Sequence, residues 1–327
     1  MVRPSGIADA AIAIAIAGGK IVGRWYPVEL LRTLLFVPGN RTKMIEKARG
    51  VEADALIFDL EDAVPPAEKP TARQMVRDAI DSGNYRRFKT FVRVNALTTG
   101  LLPGDLDAVV RPDLFGIVLP KTEDSAGVEE VHRMLLEREH RLGLSEGHTR
   151  ILPIIETVRG VLNIPQIAGC HERLIGLAFG VEDFATDLGV ERSREGIEGR
   201  YPMTQVALYA RLTNVAAVDT VFADIGDQEG LEANSRLAKQ LGFRGKLVIH
   251  PAQIEAVNRI FTPSDQEIEW ARQVVAAYDE AESRGEASVA VNGKMVDIPI
   301  AERARALLKL AETISSQQSL ISRSKES

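Results

Sequence analysis

Cysteine is almost missing from this chain: Cys170 stands alone among 327 residues. A single thiol excludes a disulfide framework and a cysteine-built metal centre, and it suits a reducing cytoplasm. Histidine is scarce as well, five residues with no HExxH or comparable spacing, so a metal site here has to be built mainly from oxygen. There is no long basic run and the net charge is −6, which argues against a nucleic-acid partner. No apolar run reaches the roughly 20 residues that a membrane-spanning helix needs. What remains is 45% hydrophobic and 26% charged, enough for a sizeable core under a solvated surface. The length suits one large α/β barrel or two ordinary domains.

Residues 1–30 say least. The small apolar run Ala10–Ala17 behind Arg3 resembles a weak signal-peptide core, but it is too short for a bilayer and no clear cleavage site follows. The reading adopted is an N-terminal extension, packed on the barrel or partly disordered.

From Leu31 onward, apolar runs alternate with stretches of helical period. The strand candidates are Thr33–Val37, Ala55–Leu60, Thr90–Val94, Gly116–Leu119, Ile151–Ile155, Leu174–Phe179, Thr220–Ala223 and Lys246–Ile249. Lys69–Ile80, Ser125–Leu136 and Gln228–Leu241 read as helices between them. Eight βα units argue for a closed α/β structure, a (β/α)8 TIM barrel over residues 31–262, rather than a doubly wound sheet. Residues 263–327 are a surplus, read as a helical and hairpin lid extension. It holds a helix near Asp265–Ser283, a β-like piece around Ala287–Asp297, a helix near Ala301–Ile314, and a polar end, Ser315–Ser327, expected to fray.

Polar residues crowd the strand ends, the rim where barrel enzymes carry their chemistry. Asp59, Glu61 and Asp62 follow strand two, Arg93 and Asn95 close strand three, and Lys121 follows strand four. Glu156 and Asp183 follow strands five and six, Asp224 strand seven and His250 strand eight. Two acids on neighbouring strands can hold one hard divalent cation through oxygen and leave room for water or substrate. Singly, Glu156 also reads as a helix cap or ion-pair partner, Asp183 as a helix start, and His250 as a structural rim residue.

Several segments recur in a familiar order: Leu35-Phe36-Val37-Pro38-Gly39-Asn40-Arg41, Phe58-Asp59-Leu60-Glu61-Asp62-Ala63-Val64, Arg93-Val94-Asn95, Ile155-Glu156-Thr157, Phe179-Gly180-Val181-Glu182-Asp183 and Ile249-His250-Pro251. Over roughly residues 31 to 300 the chain resembles the citrate lyase β-subunit-like branch of the HpcH/HpaI aldolase superfamily, which includes malyl-CoA and citramalyl-CoA lyases.

The resemblance implies a magnesium-dependent barrel enzyme, with manganese able to take the metal's place, whose two protein ligands fall on Glu156 and Asp183. It implies a CoA thioester and a 2-oxo acid as substrates. Arg93 falls where the family's arginine steadies the thioester oxygen as the CoA-bound fragment becomes an enolate, a task that suits a fixed guanidinium. An ion pair with Asp59 or Glu61 is the other reading of Arg93, and both can hold. Asp59, Glu61 and Asp62 then orient Arg93 and the metal's waters.

Pro38, Gly39 and Arg41 in the first loop, with Lys43 one turn on, match the CoA side, although the same segment is also a plain turn. Lys121 adds a positive charge near the thioester or its carboxylate. Val291–Pro299 resembles the lid of stand-alone acyl-CoA lyases, in which an acid at the Asp297 position closes over a neighbouring subunit's site. Shorter members that serve a citrate lyase complex generally lack it. A homotrimer or hexamer follows, while Asn292-Gly293 equally reads as a simple hairpin turn.

The activity expected is retro-aldol cleavage of a 3-hydroxy-3-carboxyacyl-CoA to acetyl- or propionyl-CoA and glyoxylate or pyruvate. A citrate lyase β subunit acting on an acyl-carrier-protein thioester, and a malyl-CoA thioesterase, are the alternatives. A non-catalytic scaffold has no need of Glu156, Asp183, Arg93 and Asp297 together.

Overall fold

Alternate residues of eight parallel strands share one apolar interior, and that alternation closes the sheet on itself. The computed structural model describes residues 30–193 and 195–325; all but Leu30 of the expected N-terminal extension lies outside them. The strands are β1 (Thr33–Pro38), β2 (Ala55–Asp59), β3 (Lys89–Arg93), β4 (Gly116–Leu119), β5 (Arg150–Ile155), β6 (Gly176–Phe179), β7 (Ala216–Asp219) and β8 (Gly245–Val248). Each pairs in parallel with the next and β8 returns to β1, so the expected TIM barrel is closed. Between the strands run α1 (Thr42–Ala48), α2 (Lys69–Asp81), α3 (Leu102–Val109), α4 (Ser125–Leu142), α5 (Val158–Leu162), α6 (Ile164–Ile167), α7 (Val181–Leu188), α8 (Ile197–Leu212) and α9 (Gln228–Leu241), and α10 (Ile254–Phe261) follows β8.

Ala55 and Ile57 of β2, Leu152 and Ile154 of β5, and Ala216 and Val218 of β7 lie in one core cluster with Leu34, Phe91, Val118, Ala178 and Leu247. Within each strand these residues are two apart, as a period of two demands. One further step of two leads from Ile57 to Asp59, from Phe91 to Arg93 and from Ile154 to Glu156. The pattern that fills the core therefore carries these charges to the barrel's C-terminal mouth. Register sets them level, Pro38 pairing with Asp59 and Asp59 with Arg93. The alternate residues bury the other face; Phe58, for one, meets Tyr85 edge-on at 5.1 Å between centroids. Each large side chain so buried contributes about 1.5–3 kcal/mol.

Two strands differ from expectation. Strand seven lies four residues earlier, at Ala216–Asp219 and not at Thr220–Ala223. The β-branched pair Thr220-Val221 makes the later run look the better strand, but pairing partners decide the register. Ala216 pairs with Gly176, and Asp219 pairs with Lys246, whose Nζ lies 2.5 Å from Asp219 Oδ2 in a fully buried ion pair. Asp224 is consequently not a strand-end acid; it sits exposed in the following loop and accepts the Gly226 N–H at 2.9 Å. Strand six starts at Gly176, and Leu174 makes only an isolated bridge to Ile151.

From Arg259 onward the chain forms a second compact unit. Helix α11 (Asp265–Ser283) opens with a reciprocal cap, Ser264 N–H to Glu267 Oε2 at 2.7 Å and Glu267 N–H to Ser264 Oγ at 3.2 Å. Strands β9 (Val289–Val291) and β10 (Lys294–Val296) form a hairpin whose turn residues, Asn292 and Gly293, have φ +49° and +75°. That is the left-handed pair an Asn-Gly turn predicts. Ala301 and Ala304 of α12 (Ile298–Lys325) pack with Ala271, Val274 and Tyr278 of α11 and Val296 of β10. The helix runs past the expected end at Ile314 and into the segment expected to fray, as far as Lys325; no glycine or proline lies between Ala301 and Lys325 to stop it. Among the described residues no helix is long and apolar enough to cross a membrane.

Candidate active site

Arg93 ends β3 and is held from three sides. Its Nε and Nη2 donate to Asp59 Oδ1 and Oδ2 at 2.7 and 2.6 Å, a two-pronged grip across the β2–β3 pair. Its Nη1 lies 3.1 Å from Glu61 Oε2 and 3.6 Å from Asp62 Oδ2, and the guanidinium stacks over Phe36 at 4.8 Å. Burial alone pulls the Arg93 pKa down, but the hydrogen bonds and charge of Asp59, with Glu61 and Asp62, outweigh it and the net shift is upward. The guanidinium stays charged and its plane is fixed, which is what developing negative charge requires of a donor.

Glu156 follows β5 directly, and the helix-capping role falls to Thr157, whose Oγ1 accepts the Gly160 N–H at 3.0 Å. This leaves the buried Glu156 carboxylate for other work. Asp183 does not follow its strand directly as Glu156 does: Gly180, Val181 and Glu182 separate it from β6, and it lies in the first turn of α7. A Cβ on Gly180 would stand 2.3 Å from Glu156 Oε2, so glycine makes the space that this carboxylate occupies.

Lys121 ties the acids together. Its φ of +48° is uncommon for a residue with a side chain, and in that conformation its backbone N–H reaches Glu156 Oε1 at 2.7 Å. Its ammonium donates to Glu61 Oε1 at 3.0 Å and lies 3.9 Å from Asp183 Oδ1. Burial, and then the charge of Asp183, push Glu156 up to about 8. Burial also raises Glu61, against the pull of Arg93 and Lys121. Two carboxylates displaced upward beside a clamped cation mark a site with a chemical task.

A layer of contacts lies behind these groups and involves residues that sequence reasoning did not single out. Lys69 of α2 donates through Nζ to Leu60 O, Glu61 O and Asn95 Oδ1 at 2.8, 3.0 and 2.6 Å. Asn95 donates through N and Nδ2 to Asp105 Oδ2, both at 2.7 Å, and Arg73 Nε holds Asp105 Oδ1 at 2.7 Å. A lysine opening a polar helix looks like a solvated residue, so only its partners reveal it.

The remaining expected site residues fall as follows. Gly39 brings the first loop close to β2, its N–H donating to Asp59 O at 2.9 Å, while Arg41 and Lys43 are exposed around the start of α1. His250 caps the short turn Pro251–Gln253, its Nδ1 accepting the Ala252 N–H at 3.2 Å, in keeping with a structural rim residue. Asp297 belongs to the C-terminal unit, where its carbonyl accepts the N–H groups of Ile300 and Ala301 at the start of α12.

The donor set suits a hard cation. Glu156 and Asp183 supply only oxygen, the donor that a hard cation takes. Among the described residues no group of three or more His, Cys, Asp or Glu is placed to hold a metal. Glu156 and Asp183 are the two carboxylates that would hold an ion here, leaving the rest of its shell to water and substrate.

A TIM barrel with a clamped arginine among carboxylates at its C-terminal mouth has the form of an enzyme site. The chain belongs to the HpcH/HpaI aldolase/citrate lyase family, whose model matches residues 32–251. It is 41% identical over 281 residues to citrate lyase subunit beta of Escherichia coli K12, across 86% of this chain and 93% of the relative. It is 35% identical over 283 residues to the (3S)-malyl-CoA thioesterase of Cereibacter sphaeroides KD131, across 86% and 95%. The protein CitE of Mycobacterium tuberculosis, solved in complex with magnesium, acetoacetate and coenzyme A, has a similar structure. The TM-score is 0.71 and the identity 32%, over 86% of this chain and 98% of that one.

Proposed function

We propose that this protein is a magnesium-dependent lyase that cleaves a 3-hydroxy-3-carboxyacyl-CoA, of the malyl, methylmalyl or citramalyl type. The products are acetyl- or propionyl-CoA and glyoxylate or pyruvate. The observation that carries the reading is one mouth holding a buried carboxylate, Glu156, beside the partly exposed Asp183, and a guanidinium fixed in plane by Asp59. The CitE complex with magnesium and coenzyme A supports it.

Cleavage breaks the bond between C2 and C3 of the acyl chain. The electron pair stays on the thioester fragment as an enolate, and the 3-hydroxyl releases its proton to solvent at the mouth as it becomes a carbonyl, balancing the proton that the enolate carbon later takes up. Arg93 meets the negative charge that gathers on the thioester oxygen, with Asp59 and Glu61 holding it in place. When bound by Glu156 and Asp183, magnesium supplies Lewis-acid polarisation and orientation of the 2-oxo acid. Pro38, Gly39, Arg41, Lys43 and Lys121 are assigned to the CoA and carboxylate side. Asp297 is assigned the proton that quenches the enolate carbon, delivered to a neighbouring subunit's site in a homotrimer or a dimer of trimers. Cys170, a free thiol, suits the cytoplasm.

The identity to citrate lyase β subunits favours a second reading, the same chemistry on an acyl-carrier-protein thioester. The matched length exceeds the whole chain up to Asn258, so part of the tail beyond the barrel is shared with that relative. The deciding assay offers magnesium, acetyl- or propionyl-CoA, and glyoxylate or pyruvate. A new acyl-CoA adduct that forms with magnesium and not in EDTA is expected. Turnover confined to the carrier-protein thioester overturns the choice of substrate, and release of free CoA from malyl-CoA without glyoxylate makes it a thioesterase.

A further inference from the structure

The ladder between β2 and β3 stops at the level of Asp59 and Arg93. Beyond it, two loops carry on, one with Glu61 and one with Asn95. A buried ammonium spans the gap between them. We propose that Lys69 is a positioning residue for the reaction, which fixes the loop bearing Glu61 and through Glu61 sets the place of Arg93.

All three Nζ protons are used, on the carbonyls of Leu60 and Glu61 and on Asn95 Oδ1. Asn95 Nδ2 returns to the Leu60 carbonyl at 3.0 Å, so Leu60 is gripped by both partners. Asp105 and Arg73 anchor Asn95 in turn, which ties the assembly to α2 and α3. The carbonyl that Lys69 holds on Glu61 belongs to the residue whose carboxylate reaches Arg93 on one oxygen and Lys121 on the other. Lys69 itself reaches neither.

Burying an ammonium against neutral oxygens is costly, and packing alone would be served better by an apolar side chain of the same length. What an apolar residue cannot do is hold two consecutive carbonyls and an amide in one fixed arrangement. Displacement of a catalytic group by about 1 Å costs on the order of 100-fold in rate, so such a clamp has a kinetic use.

The inference rests on the lyase reading for its kinetic arm only. The variant is Lys69→Met, checked first by thermal unfolding. Amide hydrogen exchange in the segment from Asp59 to Val64 should quicken by about tenfold or more while strand amides stay unchanged. In turnover, kcat should fall roughly 100-fold with KM nearly unchanged. Magnesium affinity by calorimetry should change far less than kcat, because Glu156 and Asp183 stand on other loops and meet the Glu61 loop only through Lys121. The double variant Lys69→Met, Glu61→Gln should be no slower than Glu61→Gln alone, since one acts through the other.

Losses that multiply in the double variant, or exchange that does not quicken in this loop, overturn the proposal. If Lys69→Met fails to fold, Asn95→Leu removes one Lys69 acceptor and the second grip on Leu60, and it must show the same loss confined to kcat. A wild type that turns over none of the thioesters overturns the lyase reading alone, and the exchange arm then decides the clamp.

Discussion

Asp59 grips Arg93 with both oxygens and, with the same two oxygens, accepts the N–H groups of Glu61 and Ala63 at 2.9 and 3.1 Å. One carboxylate thus sets the plane of the guanidinium and the path of the loop beside it. Asp59→Asn replaces one acceptor by a donor facing Arg93, and Arg93→Lys removes the fork altogether. Each should cost roughly 100-fold or more in kcat, the scale of losing one preorganised donor to a developing anion. Steady-state kinetics with saturating magnesium will show it. A change confined to KM would make Arg93 a docking residue and not one that meets the enolate.

Glu156→Gln and Asp183→Asn should each abolish cleavage and weaken magnesium binding while the barrel stays folded. Removing one of two anionic ligands takes both charge and geometry from a hard-cation site. Full turnover in EDTA, or in either variant, would sink the assignment of these two acids.

Glu156, raised to about 8, also predicts a pH dependence. Its folded pKa lies above the unfolded value, so the metal-free protein keeps a proton that the unfolded chain has lost. Stability from this group is present at low pH and declines as pH rises through that window, levelling near 8. A cation must expel the same proton, so magnesium affinity should climb about tenfold per pH unit below 8 and then flatten. Calorimetry in two buffers of different ionisation enthalpy should detect close to one proton released at pH 7. Glu156→Gln should abolish that release.

Away from the mouth, Arg173 and Glu139 form a fully buried two-pronged pair, both contacts at 2.6 Å, and Arg173 Nε donates to His132 Nδ1 at 2.8 Å. Arg173→Met leaves a buried carboxylate without its cation and should cost about 3–5 kcal/mol of stability. Urea unfolding measures this, with kcat of the folded fraction unchanged.

His171, stacked on His132 at 4.0 Å, has its pKa lowered, by burial first and then by His132. Arg173 adds to that shift, while Glu129 and Glu172 oppose it. A histidine held neutral in the fold charges more easily in the unfolded chain. Its contribution is therefore intact above the ordinary histidine range and is lost as pH falls through and below it. The midpoint of thermal unfolding should drop more steeply below pH 6.5 in wild type than in His171→Gln.

Asp297 lies in the turn between the hairpin and α12, in a unit of its own. If it serves a neighbouring copy, mixing Asp297→Ala chains with Arg93→Ala chains should restore activity, because some interfaces then pair two intact halves. Hetero-oligomers that form and stay inactive, with both parents folded, would show that Asp297 acts within its own chain or does no chemistry.

Local pattern determined much of this molecule. Alternation with period two defines most strands to within a residue or two, and its next step names Asp59, Arg93 and Glu156 as mouth residues. Asn292-Gly293 specifies its turn because few residues accept positive φ. The capping pair Ser264 and Glu267 starts α11 where the sequence says it should. Each of these depends on neighbours a few positions away.

Only the tertiary structure decided the rest. Which of two adjacent apolar runs became β7 was settled by Asp219 meeting Lys246, 27 residues on. Asp183 takes its place from a helix start behind Gly180, a glycine needed because Glu156 from another strand fills the space a Cβ would take. Lys121 reads in sequence as a charge, yet it is its backbone N–H, turned by a left-handed φ, that grips Glu156. Lys69 looks like a surface lysine until α2 folds it under the loop after β2. In each case the deciding contact joins residues far apart in the chain, and closing the barrel is what brings them together.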